Sequence, residues 1–311
     1  MSRPQIPTPL RLLFVLLAIV VYAACGGDDD GASSGGGNPP AGPAGNTNAN
    51  LQQNARGWEV PRLSGQGIYI NHTLTDGTPN YCMEYVTSAY HTRWVAYRYD
   101  PRTAQRNWTT RTNAWAPEPA LAGNASQQVA SHLADGREQY FPGYNRGHLV
   151  GSAERYYSRE ANEQTFYMSN MSPMLGRFNT GNWGTIEDKC RDEWGRSCTT
   201  TGDTLYVVKG GTVAAGQTLG YCTVRTVSGS NARMAVPKYY FMACVRRSRG
   251  GSVSGIAFWL EHTAAAGATA RSAAITIDEL EARTGIDFFC NIPDELEERV
   301  ESTFNFASWN L

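Results

Sequence analysis

Three short stretches decide how this chain folds. They are Tyr144-Asn145-Arg146-Gly147-His148-Leu149, then Thr165-Phe166-Tyr167-Met168-Ser169-Asn170-Met171-Ser172-Pro173, then Phe178-Asn179-Thr180-Gly181-Asn182-Trp183-Gly184-Thr185-Ile186-Glu187. The middle stretch reads as a short strand ending at a proline turn. The last begins a helix, with Asn179, Trp183 and Glu187 at i, i+4 and i+8 on one face. A strand with a His, a return strand and a helix with an Asn bring three polar groups to one spot. Neutral imidazole is well poised to take a proton from water near pH 7. An amide oxygen is a hard, neutral donor suited to Mg²⁺, which prefers oxygen ligands and keeps several waters. Glu187 lies about 12 Å along the helix from Asn179, so orienting a metal-bound water suits it better than direct ligation. An open metal site beside a His base is what phosphodiester hydrolysis requires.

The surrounding sequence predicts strands at Gly67–Asn71, Trp94–Tyr99, Leu205–Lys209, Tyr239–Arg246 and Val253–Glu261, from their β-branched and aromatic content. Thr276–Arg283 and Asp294–Thr303 read as helices, with acids in their opening turns and Leu or Val at helical spacing. Strands with a few interspersed helices, and no regular βαβ alternation, predict an α+β fold with a mostly antiparallel central sheet flanked by helices.

With these motifs in order, the chain resembles the DNA/RNA non-specific endonucleases of the ββα-metal (His-Me finger) class, which includes endonuclease G. The Arg-Gly-His core, the Tyr-Met-Ser-Asn-x-x-Pro turn and the Asn-x3-Trp-x3-Glu helix all match, with 31 residues from His148 to Asn179. A weaker likeness runs over about residues 80–300, through Arg-Trp-Val-Ala-Tyr (93–97), Val-Pro-Lys-Tyr-Tyr (236–240) and the 277–285 helix end. The resemblance implies a ββα-metal finger nuclease fold and metal-dependent cleavage of DNA and RNA with little sequence preference. It casts His148 as general base, Asn179 as the direct Mg²⁺ ligand (Mn²⁺ substituting) and Glu187 as holder of a metal-bound water. Arg106, in Arg-Asn-Trp, looks like the family's phosphate-binding arginine, and Arg146 and Asn170 would line the substrate site. Two positions depart from the family pattern: Asn145 stands where an Asp is common before Arg-Gly-His, and Met174 where a Gln often follows the Pro. Neither removes the base or the ligand. His72, His91, His132 and His262 lack such partners and read as ordinary surface or core residues.

Composition limits how such a protein holds its substrate. The 311 residues are 41% hydrophobic and 11% aromatic, enough for a packed core, and carry 27 basic against 28 acidic side chains. Bulk positive charge therefore cannot supply nucleic-acid affinity. The charge is segregated instead: residues 221–260 hold Arg225, Arg233, Lys238, Arg246, Arg247 and Arg249 and no acid, whereas residues 278–301 hold nine acids against Arg283 and Arg299. The two segments read either as solvated faces that pair with each other or, for the basic one, as part of a phosphate-facing surface. A catalytically inactive polyanion-binding lipoprotein and a phosphodiesterase restricted to one nucleic acid are the rival readings.

The N-terminus reads as an export signal. Arg3 and Arg11 precede 13 apolar or small residues, Leu12–Ala24, too few to span a membrane and suited to a signal peptide over residues 1–24. Small residues before Cys25 resemble a lipoprotein signal, implying a lipid on that cysteine, membrane attachment and a place in the cell envelope. Without residues 1–24 the chain carries 25 basic and 28 acidic groups. Residues 25–54, rich in Gly, Pro and Asn, read as a flexible tether, and 55–311 as one domain. Six further cysteines in an exported chain predict up to three disulfides, with Cys190–Cys198 the first choice; their spacing does not suit zinc.

Overall fold

A computed structural model describes residues 45–311. The central sheet has seven strands, all antiparallel to their neighbours, in the order β1-β2-β3-β6-β9-β10-β11. These are β1 (Ile68–Thr73), β2 (Pro79–Val86), β3 (His91–Tyr99), β6 (Thr204–Gly211), β9 (Tyr239–Arg247), β10 (Val253–Glu261) and β11 (Ala274–Ile275). Two small ribbons stand apart, β4 (Asn145–His148) with β5 (Met171–Met174), and β7 (Thr218–Arg225) with β8 (Asn231–Pro237). The helices are α1 (Arg159–Gln164), α2 (Gly176–Thr180), α3 (Asn182–Asp188), α4 (Arg196–Thr201), α5 (Ala270–Ala273), α6 (Ile277–Thr284) and α7 (Asp294–Glu301). The expected α+β class and antiparallel sheet are present.

Side-chain alternation along the strands gives the sheet two buried faces. Val95 and Tyr97 of β3, Leu205 and Val207 of β6, and Tyr240 and Met242 of β9 point to one side. There they pack against Phe178, Trp183, Ile186 and Trp194 from the helical run 176–201. Trp94, Ala96, Val208, Phe241 and Ala257 point to the other side and pack against Ile277, Leu280 and Val300 of α6 and α7. Lys209 follows Val208 and so falls on the first face. That face carries the site.

Several local expectations change. Pro173 lies inside β5, paired with Arg146, and not at a turn; the strand begins only at Met171, after a 3-10 turn over Met168–Asn170. The helix carrying Asn179 and Glu187 is not continuous. It breaks at Gly181 (φ −107°, ψ −106°), where an added Cβ would stand 2.4 Å from the Arg177 carbonyl oxygen. The tether ends earlier than its composition implies. Asn46 donates to the Cys290 and Ile292 carbonyls at 2.9 and 2.6 Å, and Asn50 donates to the Ala55 and Pro61 carbonyls at 3.1 and 3.0 Å. Asn amides that satisfy buried backbone groups fix a segment whose low hydrophobicity otherwise predicts disorder. The signal peptide, Cys25 and the first part of the tether lie outside the described residues.

The disulfide expectation is also corrected. Cys82, Cys190, Cys198, Cys222, Cys244 and Cys290 are all free, buried thiols. Cys190 and Cys198 sit on the run formed by α3, a π-helical segment over Lys189–Gly195, and α4. Eight helical residues span about 12 Å, well beyond the roughly 7 Å that a disulfide tolerates between Cα atoms. Cys190 instead shares the buried core cluster with Cys244 of β9.

Candidate active site

His148 ends β4, opposite Met171 of β5. Gly147 before it has a steric cause, because any Cβ there would meet the Met174 sulfur at 2.3 Å. The Met174 side chain thus lies directly across β4. Behind the ribbon, the Tyr240 hydroxyl donates to the Pro173 carbonyl at 3.0 Å, and His91 Nε2 and Ser172 Oγ are 2.6 Å apart, fixing β5 to the sheet. Asn170 is wholly buried. Its Oδ1 accepts from Val150 N at 2.8 Å, and its Nδ2 donates to the Val150 and Thr165 carbonyls at 3.0 and 2.8 Å. Its polar atoms are consumed in holding the segment after His148, so the structure gives Asn170 a positioning role and no face toward substrate.

The His148 ring meets the edge of Phe166 at 5.0 Å and tilts against Trp115 at 5.7 Å. Its Nε2 is buried and has no hydrogen-bond partner. Burial first, then the charges of Arg111, Arg146 and Lys209, hold its pKa well below the ordinary imidazole value. The ring is therefore neutral at physiological pH, with its Nε2 left unpaired. Arg146, 9% exposed, lies over Trp115 at 3.6 Å and gives Nη2 to Glu138 at 2.6 Å. Its Nη1 is buried without a partner.

Asn179 sits near the end of α2, two residues before the break, and its side-chain amide makes no hydrogen bond among the described residues. The N-terminal end of α2 is pinned by His262, whose Nε2 accepts from Leu175 N at 2.8 Å while Nδ1 donates to the Pro237 carbonyl at 2.8 Å. Trp183 is buried against Phe178 and Tyr240, at 6.2 and 5.5 Å between ring centres, and holds α3 on the sheet. Glu187 accepts from Lys209 Nζ at 2.7 Å, and the same ammonium is 2.7 Å from both oxygens of Glu154. Burial alone would lower the Lys209 pKa, but the two carboxylates reverse this and hold it above the lysine norm. Burial pushes Glu187 up to about 7 against the pull of that ammonium.

An Asn179 amide without a hydrogen-bond partner among the described residues, the Glu187 carboxylate held by Lys209 and an imidazole with an unpaired nitrogen are donors whose chemistry suits a hard divalent cation with a water-rich shell. The family model for DNA/RNA non-specific endonucleases matches residues 65–295. The chain belongs to that family. It is 28% identical over 225 residues to a nuclease of Nostoc sp., covering 67% of this chain and 75% of that one. It is 29% identical over 170 residues to bovine mitochondrial endonuclease G, covering 50% and 53%. It therefore spans about half the length of that mitochondrial relative. The crystal structure of an EndoG/EndoGI complex shares its fold, with a TM-score of 0.53 at 18% identity, over 74% of this chain and 90% of that one.

Within this family framework, the arginines fall differently from the sequence reading. Arg106 is exposed and lies over Tyr156 at 5.6 Å, near Asp192, whose pKa its charge helps to lower. Arg111 lies 4.7 Å over the Phe166 ring that also packs on His148, and its charge reaches the imidazole. Sequence reasoning missed Arg111, Lys209, Glu154 and His262. Arg111 was legible as a neighbour of Arg106. The other three belong to the site only through contacts 22 to 87 residues apart in sequence. The basic segment does not pair with the acidic one. Arg233, Lys238, Arg246 and Arg247 lie over Tyr221, Tyr239, Trp309 and Trp58, and none makes a salt bridge to residues 278–301 among the described residues.

Proposed function

We propose that this protein is an exported, Mg²⁺-dependent endonuclease that cleaves DNA and RNA with little sequence preference, held at the cell envelope by a lipid on Cys25. The observation that carries the catalytic reading is the buried, unpartnered Nε2 of a neutral His148 that feels the charges of Arg111 and Arg146. His148 Nε2 takes a proton from the attacking water. Arg146, through its unpartnered Nη1, and Arg111 bind phosphate oxygens and stabilise charge that develops on them; Arg106, further out on Tyr156, tracks the strand. Asn179 would hold the ion, which supplies charge stabilisation at the leaving 3′ oxygen. Glu187, fixed by Lys209, orients water next to it. Contact through phosphates and not base edges accounts for low sequence preference.

Nicking of supercoiled plasmid tests the reading directly. Cleavage should require Mg²⁺ or Mn²⁺, stop in EDTA, leave 5′-phosphate ends, and fall by about 10² to 10⁴-fold in His148→Ala with the thermal melt unchanged. DNA binding with no cleavage in any divalent ion would mark a polyanion-binding protein and sink the enzyme reading.

A further inference from the structure

On the sheet face opposite His148, α6 and α7 bring carboxylates together with no salt-bridged cation among the described residues. One oxygen each from Asp278, Glu281 and Glu301 lie within 4.8 Å of one another. They open on a cleft of about 580 Å³, also lined by Asn48, Asp287 and Glu297. None of these five acids makes a salt bridge among the described residues. Acidic clusters on surfaces are common and by themselves mean little. Here a second feature singles the cluster out. Glu301 is only 5% exposed, and its Oε1 is buried with no hydrogen-bond partner. Asn48 completes the arrangement: its Nδ2 donates to Glu297 at 3.1 Å and to Asp287 at 3.4 Å, which leaves its own Oδ1 buried and unpartnered.

A buried carboxylate oxygen facing two others costs several kcal/mol unless a proton or a cation sits among them. The donors are all hard oxygens and come from two helices and the segment before β1. Donors gathered from separate elements, with the three carboxylate oxygens inside 4.8 Å of one another, suit the flexible six- to eight-oxygen shell of Ca²⁺, whereas Mg²⁺ demands a near-ideal octahedron. We infer that Asp278, Glu281 and Glu301, with the Asn48 amide oxygen, form a structural Ca²⁺ site that fastens α7 and the 45–54 segment to α6. The site is separate from the catalytic centre.

The test uses chelator-stripped protein carrying Asn179→Ala, so that the catalytic ligand is absent. Calorimetric titration with CaCl2 should show one saturable site, in the range of about 10⁻⁵ to 10⁻³ M, and Ca²⁺ should raise the melting temperature. Adding Glu301→Gln or, as a second variant, Asp278→Asn should weaken that binding at least tenfold and abolish the thermal response. Glu301→Gln alone should melt cooperatively and keep Mg²⁺-dependent nicking. No Ca²⁺ uptake by the Asn179→Ala protein overturns the inference, and so does full-affinity binding in both added variants. Loss of nicking in His148→Ala bears only on the catalytic reading, so the two can fail independently.

Discussion

The two faces of the sheet each gather carboxylates around a buried one, Glu154 on one and Glu301 on the other, and they handle the charge in opposite ways. On the His148 face, Glu154 and Glu187 share one lysine, itself fully buried, at 2.7 Å. On the α6–α7 face, Asp278, Glu281 and Glu301 share no cation from the described chain. Desolvation is common to both. What differs is whether the fold carries its own counter-ion. An internal lysine fixes Glu187 in place at 2.7 Å, which a residue orienting water needs. A cluster without one must take its positive charge from solution.

Removing the lysine should break the comparison most severely. Lys209→Met leaves Glu154 and Glu187 buried without a counter-ion and should cost about 3–5 kcal/mol in urea denaturation. Nicking should fall as Glu187 shifts, with kcat more affected than KM, because the positioned carboxylate acts on water and not on bound phosphate. Adding Glu154→Gln to Lys209→Met removes one of the stranded charges and should recover part of the stability. Equal loss in the single and double variants would mean that Lys209 acts by packing alone.

A third buried titratable group, His91, has neither counter-ion nor access to solvent and stays neutral. Burial lowers its pKa to about 4, while its ring contacts Ser172 Oγ and the Thr92 carbonyl at 2.6 Å each. The folded pKa is depressed, so between pH 6.5 and 4 the unfolded chain binds more protons and stability falls as pH falls. The shift corresponds to at most about 3 kcal/mol, lost across that window. His91→Gln should remove this pH-dependent component. An unchanged slope from pH 6.5 to 4 in the variant would place the acid sensitivity elsewhere.

The sequence reading reached those parts of this arrangement that are local. Val253–Glu261 was predicted residue for residue as β10, because its β-branched and aromatic content is a local property. The Arg-Gly-His ribbon and the Asn-x3-Trp-x3-Glu helix were likewise found, each motif lying within ten residues. β2 was missed because its stretch Asn80–Tyr85 holds no β-branched residue and carries Asn80 and Glu84, although both faces of the strand are buried. Lys209 was read only as the end of a strand, since its two partners lie 55 and 22 residues away and nothing local announces them. The break at Gly181 was hidden by three residues at regular helical spacing. Composition misjudged residues 45–54, where a few asparagines order the backbone through specific hydrogen bonds.

The smallest effect discriminates most finely between the two clusters, because one chemical change should have opposite signs in them. Glu154 accepts from Lys209, from the Tyr97 hydroxyl at 2.7 Å and from Gly151 N at 2.6 Å. Glu154→Gln therefore removes a paired charge and should destabilise by about 2 kcal/mol. Glu301 accepts no hydrogen bond among the described residues and faces only other acids. In EDTA, Glu301→Gln removes an unpartnered acid and should stabilise by roughly 0.5–1 kcal/mol. With saturating CaCl2 the sign should reverse, because the parent then gains the binding free energy and the variant does not. Denaturation of the parent and both variants, with and without Ca²⁺, reads all three signs. If Glu301→Gln destabilised in EDTA as Glu154→Gln does, Glu301 would have a counter-charge in solution that the described chain does not show, and the contrast between the two faces would collapse.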